Sequence, residues 1–402
     1  MFIELFLLTL AGILIGMVTG ITPGLHVNTV ALLLMPLAGA ANPYFLACLI
    51  IAVAVSHSFF DFIPSLLLGA PDPETALSVL PGHRLLHAGR GYEAVAAAVT
   101  GGIMAMLAST ALLPLLLAGM PVIYGLLCGH IGMILVIVSA ALVLTENGWK
   151  KLSALAIFLL SGILGTLTFN SPLLSSDVIL FPIFTGLFGI SSMLFSMQSA
   201  TAIPQQRMRW GNIKNRLVLS GTLKGLAASI VLGILPGLGA AQASSVAQFS
   251  RAAGRDADRG FILTVGAIGT AVTVFSILSL YTISKARSGA AAAVGSFLDT
   301  FGTDEVLMLV AVSLLSAGIA AILTLAAVKR ALAALAALDY RKLSLGIIGF
   351  LLLATAIFTS WGGLLILLTA TSIGMLAPLF GVKRSNCMGV LMLPLILFYF
   401  GM

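Results

Sequence analysis

The chain has little charge for its length. Of its 402 residues, 8% are charged and 60% are hydrophobic, whereas soluble domains have about 25% charged residues. This excludes a soluble globule, because too few polar side chains are present to cover its surface. The high hydrophobicity excludes a disordered chain. The cysteines are Cys48, Cys128 and Cys387, too few for a fold held by disulfides. A polytopic membrane protein remains.

The N-terminal segment differs from a secretory signal. Glu4 precedes its apolar run, and no Lys or Arg does, whereas a signal peptide begins with basic residues. We expect this segment to belong to the mature protein.

Most of the basic residues lie in a few loops. Seventeen of the 20 Lys and Arg residues are Arg84, Arg90, Lys150, Lys151, Arg207, Arg209, Lys214, Arg216, Arg251, Arg255, Arg259, Lys329, Arg330, Arg341, Lys342, Lys383 and Arg384. Cytoplasmic loops of membrane proteins are enriched in Lys and Arg. We therefore expect these loops in the cytoplasm of a multi-pass protein of the cell membrane. The loops without Lys or Arg are expected on the outside of the membrane, as is the N-terminus. They lie near 39–46, 118–122, 170–177, 295–305 and 359–363. The net charge of +7 is explained by topology, so no nucleic-acid partner is indicated.

Two apolar segments are each interrupted by a Pro-Gly pair. Pro23-Gly24 lies in the middle of 1–38, whose two ends are both expected outside, and Pro236-Gly237 interrupts 214–250, whose two ends are both basic. Proline removes a hydrogen-bond donor and glycine permits a turn. Each segment is therefore predicted to be a helical hairpin that enters the membrane and returns.

The two hairpins match each other in sequence at one constant offset. Gly20 to Leu25 aligns with Gly233 to Leu238. At the same offset, each loop without Lys or Arg, or with acidic residues, aligns with a basic loop of the other half. Opposite loop charges are expected of halves with opposite membrane orientation. We predict an all-α protein with two inverted-topology repeats, 1–205 and 206–402, each with one broken hairpin and about five further membrane segments. Inverted repeats with discontinuous helices are typical of secondary transporters, with an unusual pore or an intramembrane enzyme as alternatives.

Charged residues also occur within the predicted membrane region. Lys285 and Arg287 follow a long apolar run, and their offset partners are Asp72 and Glu74. Charges inside a membrane are costly and usually functional. In one interpretation the carboxylates pair with the cations and lock the halves together. In the other, the cations bind an anionic substrate and the carboxylates bind a coupling cation or proton. Lys224 lies within the second predicted hairpin, near its cytoplasmic end. Its long side chain is therefore expected to reach the membrane surface.

The hairpin tips are predicted to line the substrate site, because backbone N–H groups and helix N-termini attract anions. The substrate-binding candidates are Pro23, Gly24, Leu25, His26, Asn28, Thr29, Pro236, Gly237, Gly239, Gln242, Lys285, Arg287 and Ser288. The ion-coupling candidates are His57, Asp61, Asp72 and Glu74. His57 and Asp61 share a helix face, where they form either a proton relay or a simple hydrogen-bonded pair. His130 is interpreted as structural.

Several motifs are missing. The sequence has no phosphate-binding loop of ATPases, no HExxH, no paired CxxC and no GxSxG. We therefore predict neither a metal site nor a cofactor, apart from Na⁺ or H⁺ as the coupling ion.

Four motifs resemble a known family. They are GMVTGITPGLHVNT, SHSFFDFIPSLLLGAPDPETALSVLPGHRLLHAGRGYEA, GILPGLGAAQAS and ISKARSGAAAAV. Together they resemble the compact, archaeal-type branch of the tripartite tricarboxylate transporter large permease subunits, from about residue 12 to 300. The resemblance implies uptake of organic carboxylates driven by a cation gradient, with the two Pro-Gly-Leu loops lining the substrate site. The stretch from Lys285 to Gly289 departs from the pattern of longer members, which implies a different anion.

The sequence as a whole predicts a secondary active transporter, not an enzyme. It is expected to move a small organic anion, a di- or tricarboxylate, by symport with Na⁺ or H⁺. The alternatives are a carrier for an anionic lipid such as a polyprenyl phosphate, and an intramembrane enzyme that would use His57, Asp61 and Asp72. A homodimer is the expected assembly. The small membrane subunit and the binding protein of the family cannot be inferred from this chain.

Overall fold

A computed structural model describes residues 2–401, except 24, 26, 35–36, 38–40, 73, 172–175, 198–203, 211–212, 235–239, 248–255, 299–300 and 337–339. Every regular element within this part of the chain is a helix. Ten helical stretches there are long and apolar enough to cross a membrane. These observations confirm the predicted all-α, multi-pass membrane fold.

The described residues of the first half form ten α-helices. They are α1 (Phe2–Ile21), α2 (Val27–Leu34), α3 (Pro43–Phe60), α4 (Val79–His87), α5 (Gly91–Ala111), α6 (Leu113–Leu127), α7 (Ile131–Leu144), α8 (Lys150–Phe169), α9 (Ser176–Phe184) and α10 (Ser191–Met197). A π-helical turn, Pro64–Leu68, extends α3, and a second, Thr185–Ile190, joins α9 to α10. A 3₁₀ turn, Ala76–Ser78, precedes α4.

Seven α-helices are formed by the part of the second half that the structure describes. They are α11 (Asn215–Ile234), α12 (Ala240–Ala247), α13 (Ala257–Ile283), α14 (Gly289–Phe297), α15 (Thr303–Ala336), α16 (Tyr340–Phe380) and α17 (Gly389–Tyr399). Ser360, with φ 53° and ψ −160°, breaks α16, and a 3₁₀ turn, Arg384–Met388, precedes α17. The bounds of α11 and α12 follow those of α1 and α2 at one constant offset, which is the offset between Gly20 and Gly233 in the sequence.

One predicted loop is wrong. Residues 118–122 lie inside α6, and the chain instead turns at Leu112, between α5 and α6. Pro121 is accommodated within α6, because transmembrane helices tolerate proline where neighbouring groups satisfy the freed backbone. The loop predicted at 359–363 coincides with the break at Ser360.

The glycines of α1 lie directly against α3. A β-carbon built on Gly12 would come 2.7 Å from the Ala52 Cβ, and one built on Gly20 would come 2.8 Å from the Phe60 Cβ. Positions along the two helices increase together, so α1 and α3 run parallel and begin at the same level. The chain between them must therefore turn back, as a hairpin does.

The second hairpin helix repeats this arrangement against α13. A β-carbon on Gly225 would lie 2.4 Å from the Ala267 Cβ, and one on Gly233 would lie 2.9 Å from the Phe275 Cβ. The helices α11 and α13 are therefore also parallel, in a similar register.

Hydrogen bonds show which helix ends lie together at one end of the bundle. The Tyr44 hydroxyl, at the start of α3, donates to Glu305 Oε1, at the start of α15, over 3.4 Å. The Tyr281 and Thr303 hydroxyls join the end of α13 to the start of α15 at 2.9 Å. The start of α3 and the end of α13 thus lie at the same end.

Ion pairs mark the other end, which we call the basic end. Arg84, in α4, donates to both carboxylate oxygens of Asp258, at 2.7 and 3.1 Å. Arg259 lies 3.5 Å from Glu93, so α13 and α5 both begin here. It follows that α3 and α13 run in opposite directions, and that α1 and α11 enter the bundle from opposite ends.

The two halves are interlocked. The long helix of each half packs on a helix of the other half as well as on its own hairpin helix: α13 contacts α5 and α11, and α3 contacts α15 and α1. In the same way α8 packs on α17, and α16 packs on α9 and the following π-helical turn. The boundary between 1–205 and 206–402 therefore divides two sequence halves that share one core.

The close contact between α5 and α13 predicts that replacement of an interface glycine by alanine destabilises the fold. A β-carbon at Gly101 would lie 1.9 Å from the Leu263 carbonyl oxygen, so Gly101→Ala forces the helices apart. We expect a loss of about 1–3 kcal/mol in unfolding free energy. The measurement is thermal unfolding in detergent, followed by a thiol-reactive dye that detects the buried Cys48 and Cys387.

Gly119→Ala is the matched control, because no heavy atom lies within 4 Å of a β-carbon there. It should leave the unfolding temperature unchanged or raise it slightly, since alanine favours a helix over glycine by about 1 kcal/mol. Equal unfolding temperatures for the two variants would contradict the proposed close packing.

Candidate functional site

The start of α2 lies against the start of α14. A β-carbon at Gly289 would come within 2.0 Å of the Asn28 Oδ1, so the Asn28 side chain approaches a bare stretch of backbone. Ser288 caps α14, and its hydroxyl accepts a hydrogen bond from the Ala291 N–H at 3.2 Å. Two predicted substrate-binding residues, Asn28 and Ser288, are thus brought to the same place by helices from different halves.

Arg287 lies beside the end of α11. Its Nε donates to the Gly233 carbonyl oxygen at 3.3 Å, where the helix dipole is negative. Its guanidinium also lies 5.8 Å from the centre of the Tyr124 ring, within the range of a cation–π interaction. Arg287 is half-buried, whereas Lys285 is exposed. Arg287 is therefore the cation held in place at the second hairpin.

The hairpins and the segments after the long helices contact one another crosswise. In the first hairpin, α2 packs on α14 of the second half. In the second hairpin, α12 contacts the 3₁₀ turn Ala76–Ser78, which follows Asp72 and Glu74 in the first half. Each hairpin is therefore completed by a segment of the other half.

His57 connects the first hairpin to Asp72. Its Nε2 lies 2.9 Å from Asp72 Oδ2, and its Nδ1 lies 3.0 Å from the Thr19 hydroxyl near the end of α1. All three side chains are buried. The imidazole is thus held at both nitrogens between a hairpin helix and the segment after α3.

Asp61 is held by two hydroxyl groups. Ser65 donates to its Oδ1 at 3.0 Å and Thr75 donates to its Oδ2 at 2.8 Å. The two hydroxyls are themselves 2.6 Å apart. Asp61 is 4% exposed, so its carboxylate lies within a buried oxygen-rich group. We call Thr19, His57, Asp61, Ser65, Asp72 and Thr75 the acidic cluster.

The predicted pairing between the two charged segments is not found among the described residues. There Asp72 pairs with His57, and Arg287 bonds to the Gly233 carbonyl, while Glu74 is half-buried. The offset relates equivalent positions of the halves, whereas these charged residues bond within their own halves, Asp72 to His57 of α3 and Arg287 to the end of α11. The simple side-chain pair of His57 with Asp61 is likewise replaced by the bonds to Asp72, Ser65 and Thr75.

Several predicted residues lie at or beyond the limits of the described chain. Gly24, His26, Pro236, Gly237 and Gly239 lie outside the described residues, as do the side chains of Thr29 and Gln242, whose backbones belong to α2 and α12. Pro23 and Leu25 are half-buried at the first tip, where the Leu25 N–H donates to the Thr22 carbonyl at 3.2 Å. His130 is exposed in the turn between α6 and α7.

Sequence reasoning missed five residues of this region, namely Thr19, Ser65, Thr75, Tyr124 and Gly289. Two of them had a local signal: Thr19 lies shortly before Pro23, and Gly289 follows Ser288. Tyr124 had none, because its place beside Arg287 depends on how α6 packs.

Comparison with known proteins identifies a transporter family. The model of the tripartite tricarboxylate transporter TctA family matches residues 6–389. An uncharacterized protein of Methanocaldococcus jannaschii is 30% identical over 403 residues, which cover 96% of this chain and 97% of that protein. No solved structure matches the chain.

The hydrogen bond between Thr19 and His57 predicts a local stability difference within α1. Thr19→Val keeps the side-chain shape but removes one partner of the buried imidazole. We expect a loss of about 1–3 kcal/mol in unfolding free energy, measured by thermal unfolding in detergent. Thr9→Val is the control, because the buried Thr9 hydroxyl donates to the Leu5 carbonyl of its own helix. If both variants lose the same stability, the bond to His57 contributes nothing.

Proposed function

Because the chain belongs to the tripartite tricarboxylate transporter TctA family, we propose that it is a secondary permease for a small organic anion. The family is one of transporters, which agrees with the prediction that the chain is not an enzyme. The proposed cargo is a di- or tricarboxylate, moved together with Na⁺ or H⁺. The observation that carries this proposal is the separation of charge between the hairpins, with Arg287 at the second and the acidic cluster at the first.

The anion is proposed to bind between Arg287 and the starts of α2 and α14. A guanidinium presents parallel N–H groups that match a carboxylate, and helix N-termini favour negative charge. Asn28 and Ser288 supply neutral polar groups beside these helix starts. Lys285 is exposed, and we propose that it meets the anion on entry.

The coupling ion is proposed to bind at the acidic cluster. The carboxylates of Asp61 and Asp72 and the hydroxyls of Ser65 and Thr75 offer the oxygen ligands that a hard cation prefers. The same carboxylates, with His57, offer sites for a proton. Glu74 adjoins the cluster in sequence and is proposed to contribute to the same ion site.

Alternating access is proposed to use two inverted repeats. The opposite directions of α3 and α13, and the entry of α1 and α11 from opposite ends, support this arrangement. We propose that the protein lies in the cell membrane with its basic end in the cytoplasm. The family's description as tripartite supports partner subunits, and we expect a homodimer.

A labelling experiment tests the topology. Cysteines in place of the exposed Asn42 and Lys214 should react with a membrane-impermeant reagent from opposite sides of oriented vesicles. The background carries Cys128→Ser, because Cys128 is the exposed native thiol. Labelling of both positions from one side would refute the inverted arrangement.

Uptake into proteoliposomes tests the cargo and the role of Arg287. Citrate or succinate should accumulate under an inward Na⁺ or proton gradient, and Arg287→Gln should lower uptake about 10- to 100-fold, since hydrogen bonds to charged groups contribute about 1.5–3 kcal/mol. Lys285→Gln should have a smaller effect.

Lys329→Gln is the control for Arg287→Gln, because Lys329 also lies over an aromatic ring, that of Tyr92, at 5.7 Å. It should retain full uptake. Uptake by Arg287→Gln equal to that of the control would exclude the proposed anion site. Transfer of a polyprenyl phosphate without carboxylate uptake would assign the protein to lipid transport.

The acidic cluster predicts that substrate exchange and ion coupling can be separated. Asp61→Asn should abolish accumulation driven by the gradient while leaving exchange of labelled for unlabelled carboxylate measurable. The amide keeps the size of the side chain but removes the negative charge that attracts a cation. Comparison of Na⁺ and proton gradients in the parent protein identifies the ion. Accumulation by Asp61→Asn at the parental rate would remove Asp61 from coupling.

A further inference from the structure

A cavity lies near the basic end, between the first turn of α4 and the chain around the end of α16. Its volume is about 320 Å³. Its wall includes Ala76, Leu77, Leu80 and Phe188. Its charged lining residues are Arg84, Glu146, Lys383 and Arg384. None of these residues belongs to the acidic cluster or bonds to Arg287. The cavity is therefore separate from the proposed ion site and from the proposed anion site at Arg287.

Arg384 is the unusual residue of this cavity. It is 9% exposed, and one of its nitrogens, Nη1, donates to the Ser191 hydroxyl at 2.8 Å. Within the described chain no carboxylate lies within ion-pair distance of its guanidinium. A guanidinium carries five N–H donors, and an uncompensated buried charge costs several kcal/mol. Arg384 therefore needs a negative partner.

The neighbouring charged groups are already engaged. Arg84 is paired with Asp258 through two hydrogen bonds. Lys383 donates from its side chain to Thr145, and its backbone N–H donates to Glu146 Oε1 at 2.7 Å. Among the residues that the structure describes, Arg384 is the buried cation of the cavity, and no carboxylate lies within ion-pair distance of it.

His83 is not the missing negative partner, because an imidazole is either neutral or cationic. Burial, with the neighbouring His87 and Arg384, lowers the pKa of His83 to about 3, so its ring is neutral at physiological pH. The nearby Cys387 thiol is also neutral, because burial raises its pKa to about 12.

We propose that this cavity is a second anion site, which takes one carboxylate of a compact organic acid on the guanidinium of Arg384. The apolar walls from Leu77, Leu80 and Phe188 accept the carbon skeleton of such an acid, which a bare inorganic ion does not require. The α12 arm of the second hairpin contacts both the turn Ala76–Ser78 and the turn that begins at Arg384. The cavity therefore adjoins the second hairpin and serves as an additional binding site for the anion near the basic end. This inference rests on the proposed function for the class of its ligand.

The test uses a reporter cysteine on the cavity wall. Leu80 lines the cavity and is 37% exposed, so Leu80→Cys in the Cys128→Ser background reacts with N-ethylmaleimide in the purified full chain. Citrate and succinate should slow this reaction at least tenfold, and inorganic phosphate should slow it less. Equal protection by phosphate would assign the site to oxyanions in general and overturn the preference for an organic acid.

Three variants locate the site. Arg384→Gln should weaken protection by citrate at least tenfold, Arg384→Lys should restore part of it, and Lys329→Gln, which lies outside the cavity over the Tyr92 ring, should leave it unchanged. If Arg384→Gln does not fold, Ala76→Leu fills the same cavity without removing the guanidinium and should abolish protection. Full protection in Arg384→Gln or in Ala76→Leu would overturn the proposal.

The outcome separates this inference from the transport proposal. Arg287→Gln removes the anion contact at the hairpin and should leave protection of the reporter intact. Protection without carboxylate uptake by the parent protein would keep the cavity site and reject the proposed transport. Carboxylate uptake without protection would reject the cavity site alone.

Discussion

The fold depends on the close approach of glycine-faced hairpin helices to the two long helices. In a bilayer, apolar side chains gain little by leaving the lipid, so helices associate through close packing of small residues. The contacts of Gly12 and Gly20 with α3, and of Gly225 and Gly233 with α13, set the level at which each hairpin turns. That level brings Thr19 to His57 in the first half, and it brings the Gly233 carbonyl to Arg287 in the second.

The low charge content of the sequence anticipated the all-α, multi-pass membrane fold, because so few polar side chains cannot cover a soluble globule. The constant offset between the halves also placed both hairpins, and the bounds of α11 and α12 reproduce it. The loop predicted at 118–122 was wrong because it was inferred from a lack of Lys and Arg, which a membrane helix shares, and α6 runs through this stretch with Pro121 inside it. Composition marks a segment that is able to turn, and packing decides whether it does.

The site was less predictable than the fold. The sequence identified Asp72 and Arg287 as charges that are costly to bury. In the structure Asp72 bonds to His57 beside the end of α1, and Arg287 bonds to the end of α11. Their partners could not be foreseen, since a repeat offset identifies equivalent positions, whereas contacts form between positions that the chain path brings together. Thr75 reaches Asp61 because the chain after α3 doubles back, and Tyr124 reaches Arg287 through the packing of α6. Such contacts depend on tertiary geometry and leave little trace in local sequence.

The opposite charges at equivalent positions of the halves offer a physical reason for the proposed coupling. Asp72 and Glu74 occupy in the first half the places that Lys285 and Arg287 occupy in the second, so a shared architecture presents anionic groups at one hairpin and cationic groups at the other. An organic anion alone is expensive to move through a medium of low dielectric constant, and so is a cation alone. Binding of both reduces the net charge that the moving part carries through the membrane. In the proposed mechanism the favourable step is therefore movement with both ions bound, and symport follows from the electrostatics of two diverged hairpins.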